Sequence, residues 1–180
     1  MQQTRETDRL IALSASASAG FVAEMLGLYG RLINGRLADT AVVGRLLAAD
    51  VAEMRVWLDE AGAVTGALIF LLLSPAGMQA LVQGAFDPLE PSSRHLAGER
   101  SAAAVYGWAC AGATPTARRA VMQTWSSLTS ERFAALPFFA RGATEAGRLA
   151  LVERLKCLPV DGTDGLYRAA PPVFPRRRAA

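Results

Sequence analysis

Hydrophobic positions change period several times along the chain, and each change marks an element. Phe21, Met25, Leu28, Tyr29 and Leu32 recur at spacings of three and four, which predicts one face of a helix over about 19–33. Ser18 suits its N-cap, and Asn34-Gly35 ends it. Asp39 is placed to cap a second helix to about Ala52, with Val42, Val43, Leu46, Leu47 and Val51 as its apolar stripe. The period then falls to two. Met54–Leu58 alternates as a strand, Asp59-Glu-Ala-Gly62 is turn chemistry, and Ala63–Leu73 reads as a strand buried on both faces. Together they predict a hairpin, and Arg9–Ser14 a short strand before the first helix.

Ser74-Pro75 starts a short helix on the cap-plus-proline pattern, carrying Met78, Leu81 and Val82. Residues 84–99, with Pro88, Pro91, Ser92 and Ser93, read as a loop. An apolar strand over about 102–111 follows. Thr114-Pro115 opens the next helix, Leu136–Arg141 makes another strand, and Thr144 caps a helix to about Leu155. Cys157–Val160 and Leu166–Ala169, joined by Asp161–Gly165, close the pattern as a hairpin. The order (β)ααββ(α)βαβαββ predicts an α/β sandwich round one mixed sheet. It contains no repeat and no second-domain boundary. The expected organisation is an N-terminal segment over 1–17, a single domain over 18–170 and a mobile Pro/Arg tail over 171–180. Trp57, Phe70, Trp125, Phe138 and Phe139 fall on apolar faces and are expected in the core.

Composition narrows the function classes. The chain has 180 residues, 52% hydrophobic and 19% charged, enough for one well-filled core. Its formal charge of +3 is matched by Arg176, Arg177 and Arg178 alone, so the body is near neutral. Nucleic-acid binding needs a basic face and is not expected. One histidine (His95) and two distant cysteines (Cys110 and Cys157) give no metal-ligand spacing; free thiols in a reducing compartment are expected. The longest apolar run, Ala67–Leu73, falls far short of the roughly 20 residues of a membrane helix, and the charged N-terminus is unlike a signal peptide. A cytoplasmic protein without membrane contact is expected. Strongly apolar strands on a sandwich of this size often pair, which makes a homodimer the expected assembly.

The stretch 101–129 joins a buried strand, a small-residue turn (Gly112-Ala113-Thr114-Pro115-Thr116) and a helix whose first turn carries Arg118 and Arg119. Such a junction suits a phosphate-bearing ligand. Further on, Pro137–Val160 followed by Gly165-Leu-Tyr-Arg168 forms a strand, a helix ending Glu153-Arg-Leu-Lys-Cys-Leu-Pro159, and a hairpin. This order and this C-terminal stretch resemble the GCN5-related N-acetyltransferase (GNAT) superfamily, by element order over residues 20–170 and by residue pattern over 101–169. The resemblance implies a three-layer α/β/α sandwich around a mixed, mostly antiparallel sheet. It further implies acyl transfer, acetyl first, from acetyl-CoA or another acyl-CoA to an amine on a small molecule or a protein, without a metal. Trp108, Ala109 and Cys110 would meet the pantetheine arm where two strands splay, and Gly112, Ala113, Thr114, Thr116, Arg118 and Arg119 would hold the phosphates.

The departures are specific. The family's Gln/Arg-x-x-Gly-x-Gly/Ala loop is replaced by Gly112–Arg119, where Pro115 removes an N–H donor and the two arginines offer compensating charge. The family's tyrosine acid, in Tyr-Glu-x-x-Gly-Phe, is replaced by Val152. A second resemblance, through Ser74, Leu96-Ala-Gly-Glu-Arg100 and the strand after them, is to the RTX toxin-activating lysine acyltransferases. It implies acyl carrier protein as an alternative donor, although that family's strand aspartate is absent and Val105 stands near its place.

Acyl transfer to an amine needs a base, donors that polarise the thioester carbonyl, and a cleft that aligns both reactants. Glu99, before the central strand, and His95, in the Pro/Ser loop, are the candidate bases. Tyr106 or Tyr167 is the candidate proton donor to the leaving thiolate. Cys110 as a nucleophile lacks a neighbouring His or Asp in the sequence. The competing reading is a GNAT-fold protein that has lost catalysis and serves as a binding or assembly partner.

Overall fold

The computed structural model describes residues 9–12, 18–33 and 36–169. The predicted tail, most of the N-terminal segment and the Asn34-Gly35 helix stop lie outside the described residues. The strands are β1 (Arg9–Ala12), β2 (Ala52–Leu58), β3 (Val64–Leu73), β4 (Ala104–Gly112), β5 (Phe138–Arg141), β6 (Cys157–Pro159) and β7 (Leu166–Ala169). The helices are α1 (Ser18–Leu32), α2 (Thr40–Ala48), α3 (Pro75–Val82), α4 (Pro115–Ser127) and α5 (Glu145–Leu149).

Local chemistry explains where the helices begin. The side chains of Asp39, Ser74, Thr114 and Thr144 each accept the N–H three residues on, at 2.8, 3.1, 3.0 and 3.0 Å. Each hydrogen bond satisfies a donor that the first turn leaves open. The last helix is shorter than its apolar pattern predicts. After Leu149 the chain widens into a π-turn over Ala150–Arg154, closed by the Leu155 N–H on the Ala150 carbonyl at 3.1 Å.

The seven strands lie in the order β1-β2-β3-β4-β5-β7-β6. Every neighbouring pair is antiparallel except β4 and β5, which are parallel. Helices α1, α2 and α3 cover one face through Met25, Leu28, Val43, Leu46 and Leu81. Helix α4 with a π-turn over Leu128–Arg132 at its end, and α5 with the π-turn that follows it, cover the other through Val121, Trp125, Leu128 and Leu151. With both faces covered, β3 is buried at every position except Thr65, as its unbroken aliphatic run requires. This is the three-layer sandwich that the resemblance implies. All five aromatic residues assigned to the core are buried in it.

The segment 84–99 is held more tightly than a surface loop. The His95 carbonyl accepts the Ser74 N–H at 3.0 Å, and the Ala97 N–H reaches the Leu72 carbonyl at 3.0 Å. A Cβ at Gly77 would stand 1.9 Å from the His95 carbonyl oxygen, so α3 lies directly on this segment. No described helix is long and apolar enough to cross a membrane.

Candidate functional site

The site begins as a defect in strand pairing. On its β3 side, β4 carries a bulge: Ile69 pairs with Ala109 and Phe70 with Gly107, leaving Trp108 without a partner. Trp108 and Ala109 consequently both face the α1–α3 layer, although strand neighbours normally alternate. On its other side, β4 pairs with β5 only over Val105–Phe138, Tyr106–Phe139 and Gly107–Ala140. Beyond these rungs β4 continues to Gly112 with no strand partner on that side among the described residues, and β5 stops at Arg141. A cleft of about 940 Å³ opens between the parting strands.

Two halves of different chemistry meet there. One half lies under α1, the α1–α2 connection and the 84–99 segment. Leu26, Ile33, Leu37, Ile69, Leu89 and Trp108 line it, with Arg36 as the charge on its α1–α2 rim. Its cover is tied down twice: the Trp108 indole N–H donates to the Pro88 carbonyl at 2.8 Å, and Glu90 forms an ion pair with Arg45 of α2. The other half lies against α4, α5 and the π-turn after α5, where Arg118, Arg119, Glu153 and Arg154 line it. Arg118 and Arg119 stand exposed in the first turns of α4, beside its N-terminal N–H groups. That donor set suits a polyanion.

Between the halves lie three groups, one on α1 and two on β4. Tyr29 of α1 donates to the Ala109 carbonyl at 3.1 Å, so a helix side chain satisfies a main-chain acceptor on the partly unpaired strand. Burial pushes the Tyr29 hydroxyl well up, with the Cys110 sulfur adding to the shift. Tyr106 is buried against Phe86, ring centroids 5.7 Å apart. Burial raises its hydroxyl too, and the neighbouring Arg141 guanidinium pulls it back toward ionisation. Burial pushes the Cys110 thiol up to about 11.

The structure gathers Tyr106, Trp108, Ala109, Cys110, Gly112, Arg118 and Arg119 along this one cleft. The remaining sequence candidates stand elsewhere. Glu99 does not line the cleft; its carboxylate accepts from Arg132 Nε at 3.1 Å and Nη2 at 2.8 Å. His95 is buried beside Phe86 and accepts from Arg94 Nε at 3.2 Å, away from the cleft. The tight seating of α3 on its segment draws it there. Ala113, Thr114 and Thr116 do not line the cleft either. The Ala113 N–H is taken by the Thr65 carbonyl at 2.7 Å, and the Thr114 hydroxyl caps α4. Tyr167 packs against the opposite layer, and Val152, at the position of the family's acid, is exposed and off the cleft.

Sequence reasoning missed Tyr29, Arg36 and Arg141. Tyr29 read as one more member of the α1 stripe, and its hydrogen bond spans 80 residues. No group of three or more His, Cys, Asp or Glu among the described residues is placed to hold a metal.

No family model matches the chain, and no curated protein matches it. Solved structures do. One, described as histone acetyltransferase HPA2 and related acetyltransferase from Corynebacterium glutamicum, is 16% identical with a TM-score of 0.52, covering 94% of this chain and 99% of that one. An aminoglycoside acetyltransferase from an uncultured soil metagenomic sample is 14% identical with a TM-score of 0.49, covering 80% and 82%. A ribosomal-protein-alanine N-acetyltransferase from Brucella melitensis is 18% identical with a TM-score of 0.47, covering 79% and 86%. The Corynebacterium likeness extends over nearly the whole of both chains and shows a GNAT-like fold.

Proposed function

We propose that this protein is a GNAT-type acyltransferase that moves an acyl group, acetyl first, from acyl-CoA to an amine. The parting of β4 and β5 beyond their third parallel rung carries this reading. It opens a cleft with a cationic half and an apolar half, joined across a stretch of strand with free edge. Two different molecules can thus approach one point from opposite faces of the sheet, which is the alignment a bimolecular transfer requires.

The residues present fit a CoA thioester. Arg118, Arg119 and the N-terminal turn of α4 would hold its phosphates, and the edge of β4 beyond Gly107, where the Ala109 carbonyl already accepts from Tyr29, would pair with its amide arm through the remaining groups. Gly112 serves the same junction from beneath. A Cβ there would stand 2.5 Å from the Arg118 nitrogen, so glycine is what lets α4 start against the end of the strand. The overall reaction forms a C–N bond and breaks a thioester C–S bond, the amine's proton ending on the departing sulfur. Tyr106 is the proposed proton donor to that sulfur: its raised hydroxyl stays protonated at neutral pH, and Arg141 stands beside it.

A second reading keeps the fold for binding alone. One observation favours it: among the described residues, Glu153, on the cationic half, is the only carboxylate lining the cleft, and no histidine lines it. Calorimetric titration with acetyl-CoA, desulfo-CoA and a long-chain acyl-CoA separates the two. Saturable binding is expected. No binding of any of them by folded protein would overturn the CoA reading and leave a carrier-protein donor or a non-catalytic partner role.

A further inference from the structure

Resting on that reading, we infer that the acceptor is an apolar amine bearing a carboxylate, of the kind an aliphatic α-amino acid presents. Three observations converge. The acceptor half is walled by aliphatic side chains and the Trp108 ring, and its covering segment is fastened by the Trp108–Pro88 hydrogen bond and the Arg45–Glu90 pair. Such a surface rewards apolar groups and gives nothing to a hydrated polar chain. Among the described residues, the charges lining the cleft are Arg36, Arg118, Arg119, Arg141 and Arg154 against Glu153. A polyamine or an amino sugar would bring further positive charge into a cationic cleft without a carboxylate to meet it on that side. A carboxylate on the acceptor instead meets Arg36, exposed and without an ion pair among the described residues, whose guanidinium can form a two-point bond at the rim of the apolar half.

The third observation is that, among the described residues, no carboxylate or histidine lines the acceptor half. An amine enters as an ammonium ion and must lose a proton before it can attack. Apolar walls do part of that work, because desolvation disfavours the charged form and lowers the ammonium pKa. The proton passes to water still present at the mouth as the ammonium loses its hydration shell against the apolar walls. Polycationic amines, held in water by their remaining charges, would not gain this help.

The test is a thiol-release assay with the full chain and acetyl-CoA, comparing L-leucine, 3-methylbutylamine and spermidine. Leucine and 3-methylbutylamine share an aliphatic body and differ in the carboxylate; spermidine tests the cationic alternative. The expected kcat/KM for leucine is roughly 10-fold or more above either of the others, the discrimination available when a site is built to bond a polar group that the analogue lacks. Arg36→Ala should collapse the leucine to 3-methylbutylamine ratio toward one, with Arg36→Lys recovering part of it. A preference for spermidine, or a ratio unchanged in Arg36→Ala, would overturn the inference. Binding is measured in parallel through tryptophan fluorescence with desulfo-CoA present. If desulfo-CoA binds and leucine neither binds nor reacts, this inference fails alone. If desulfo-CoA does not bind, the CoA reading fails and takes the inference with it.

Discussion

The indole of Trp125 lies where any side chain at Gly107 would stand: a Cβ on Gly107 would fall 2.1 Å from its Cη2 atom. Gly107 is the last residue of β4 paired in parallel with β5, and Trp125 packs on Phe138 of β5 with ring centroids 4.5 Å apart. The α4 indole thus sits over the final rung, below the point where the strands part, and sets the floor of the cleft. Gly107→Ala should lower stability by about 1–3 kcal/mol, because a well-packed core resists even one added methyl. Urea unfolding measures the loss, and a shift in tryptophan emission should accompany it. If the cost comes from this contact, combining Gly107→Ala with Trp125→Leu should cost less than the sum of the two changes. Additive costs would show that the pair does not act as a unit.

Arg118 and Arg119 test the donor half. Both are exposed, and both line the cleft beside the start of α4. Replacing both by Ala should leave the unfolding midpoint nearly unchanged and weaken acetyl-CoA binding by roughly 10- to 100-fold, since a hydrogen bond to a charged group is worth about 1.5–3 kcal/mol. The salt dependence of binding should also fall, as fewer charge contacts remain to be screened. Calorimetry at two ionic strengths checks both effects. Unchanged affinity would remove these residues from the site.

These two junctions show what the sequence could reveal. The α4 start was legible because its determinants are local: the Thr114 hydroxyl reaches an N–H three residues away, and Pro115 fits the first turn. The same holds for Asp39 and Ser74, and for the β2–β3 hairpin, whose Asp59-to-Gly62 turn lies between its strands. The role of Gly107 was not legible, because the indole it accommodates comes from another element. Nor was the bulge at Trp108, which exists only in register with β3. His95 and Glu99 were drawn toward the site by nearness in sequence to β4. The structure instead spends them on packing and on an ion pair, through Phe86 and Arg132.

Glu99 therefore belongs to a stability prediction. Arg132 joins Glu99, ahead of β4, to Glu53 at the start of β2, and Glu53 also pairs with Arg55. The Arg132 hydrogen bonds hold the Glu99 carboxyl below its usual 4.5. The unfolded chain then takes up this proton first as pH falls. The contribution is complete above about pH 4.5 and is lost as pH drops through the lower folded value. With 53% of the Glu99 side chain exposed, solvent screening limits it to about 1 kcal/mol or less. Glu99→Gln should destabilise by that amount at pH 7 and by progressively less as pH falls below 4.5, compared by urea unfolding. A pH-independent difference would mean that the carboxylate charge is not what matters.

Cys110 lines the cleft and is the candidate nucleophile for a covalent route, and its surroundings argue against that use. Burial raises the thiol to about 11, and among the described residues no histidine or aspartate lines the cleft to take its proton. At pH 7.5 the thiolate fraction is on the order of one in a few thousand, so the group is nearly inert as a nucleophile. Iodoacetamide should label Cys110 slowly at that pH. The rate should rise about 10-fold per pH unit until it levels near 11, as long as the fold survives. Saturating acetyl-CoA should slow it further by covering the cleft, without leaving an acetylated cysteine in the intact-protein mass. Fast labelling at neutral pH, or a stable acetyl adduct on Cys110, would reverse the assignment and make the cysteine the first acyl acceptor. Slow labelling with donor protection would leave direct attack by the amine as the route the cleft supports.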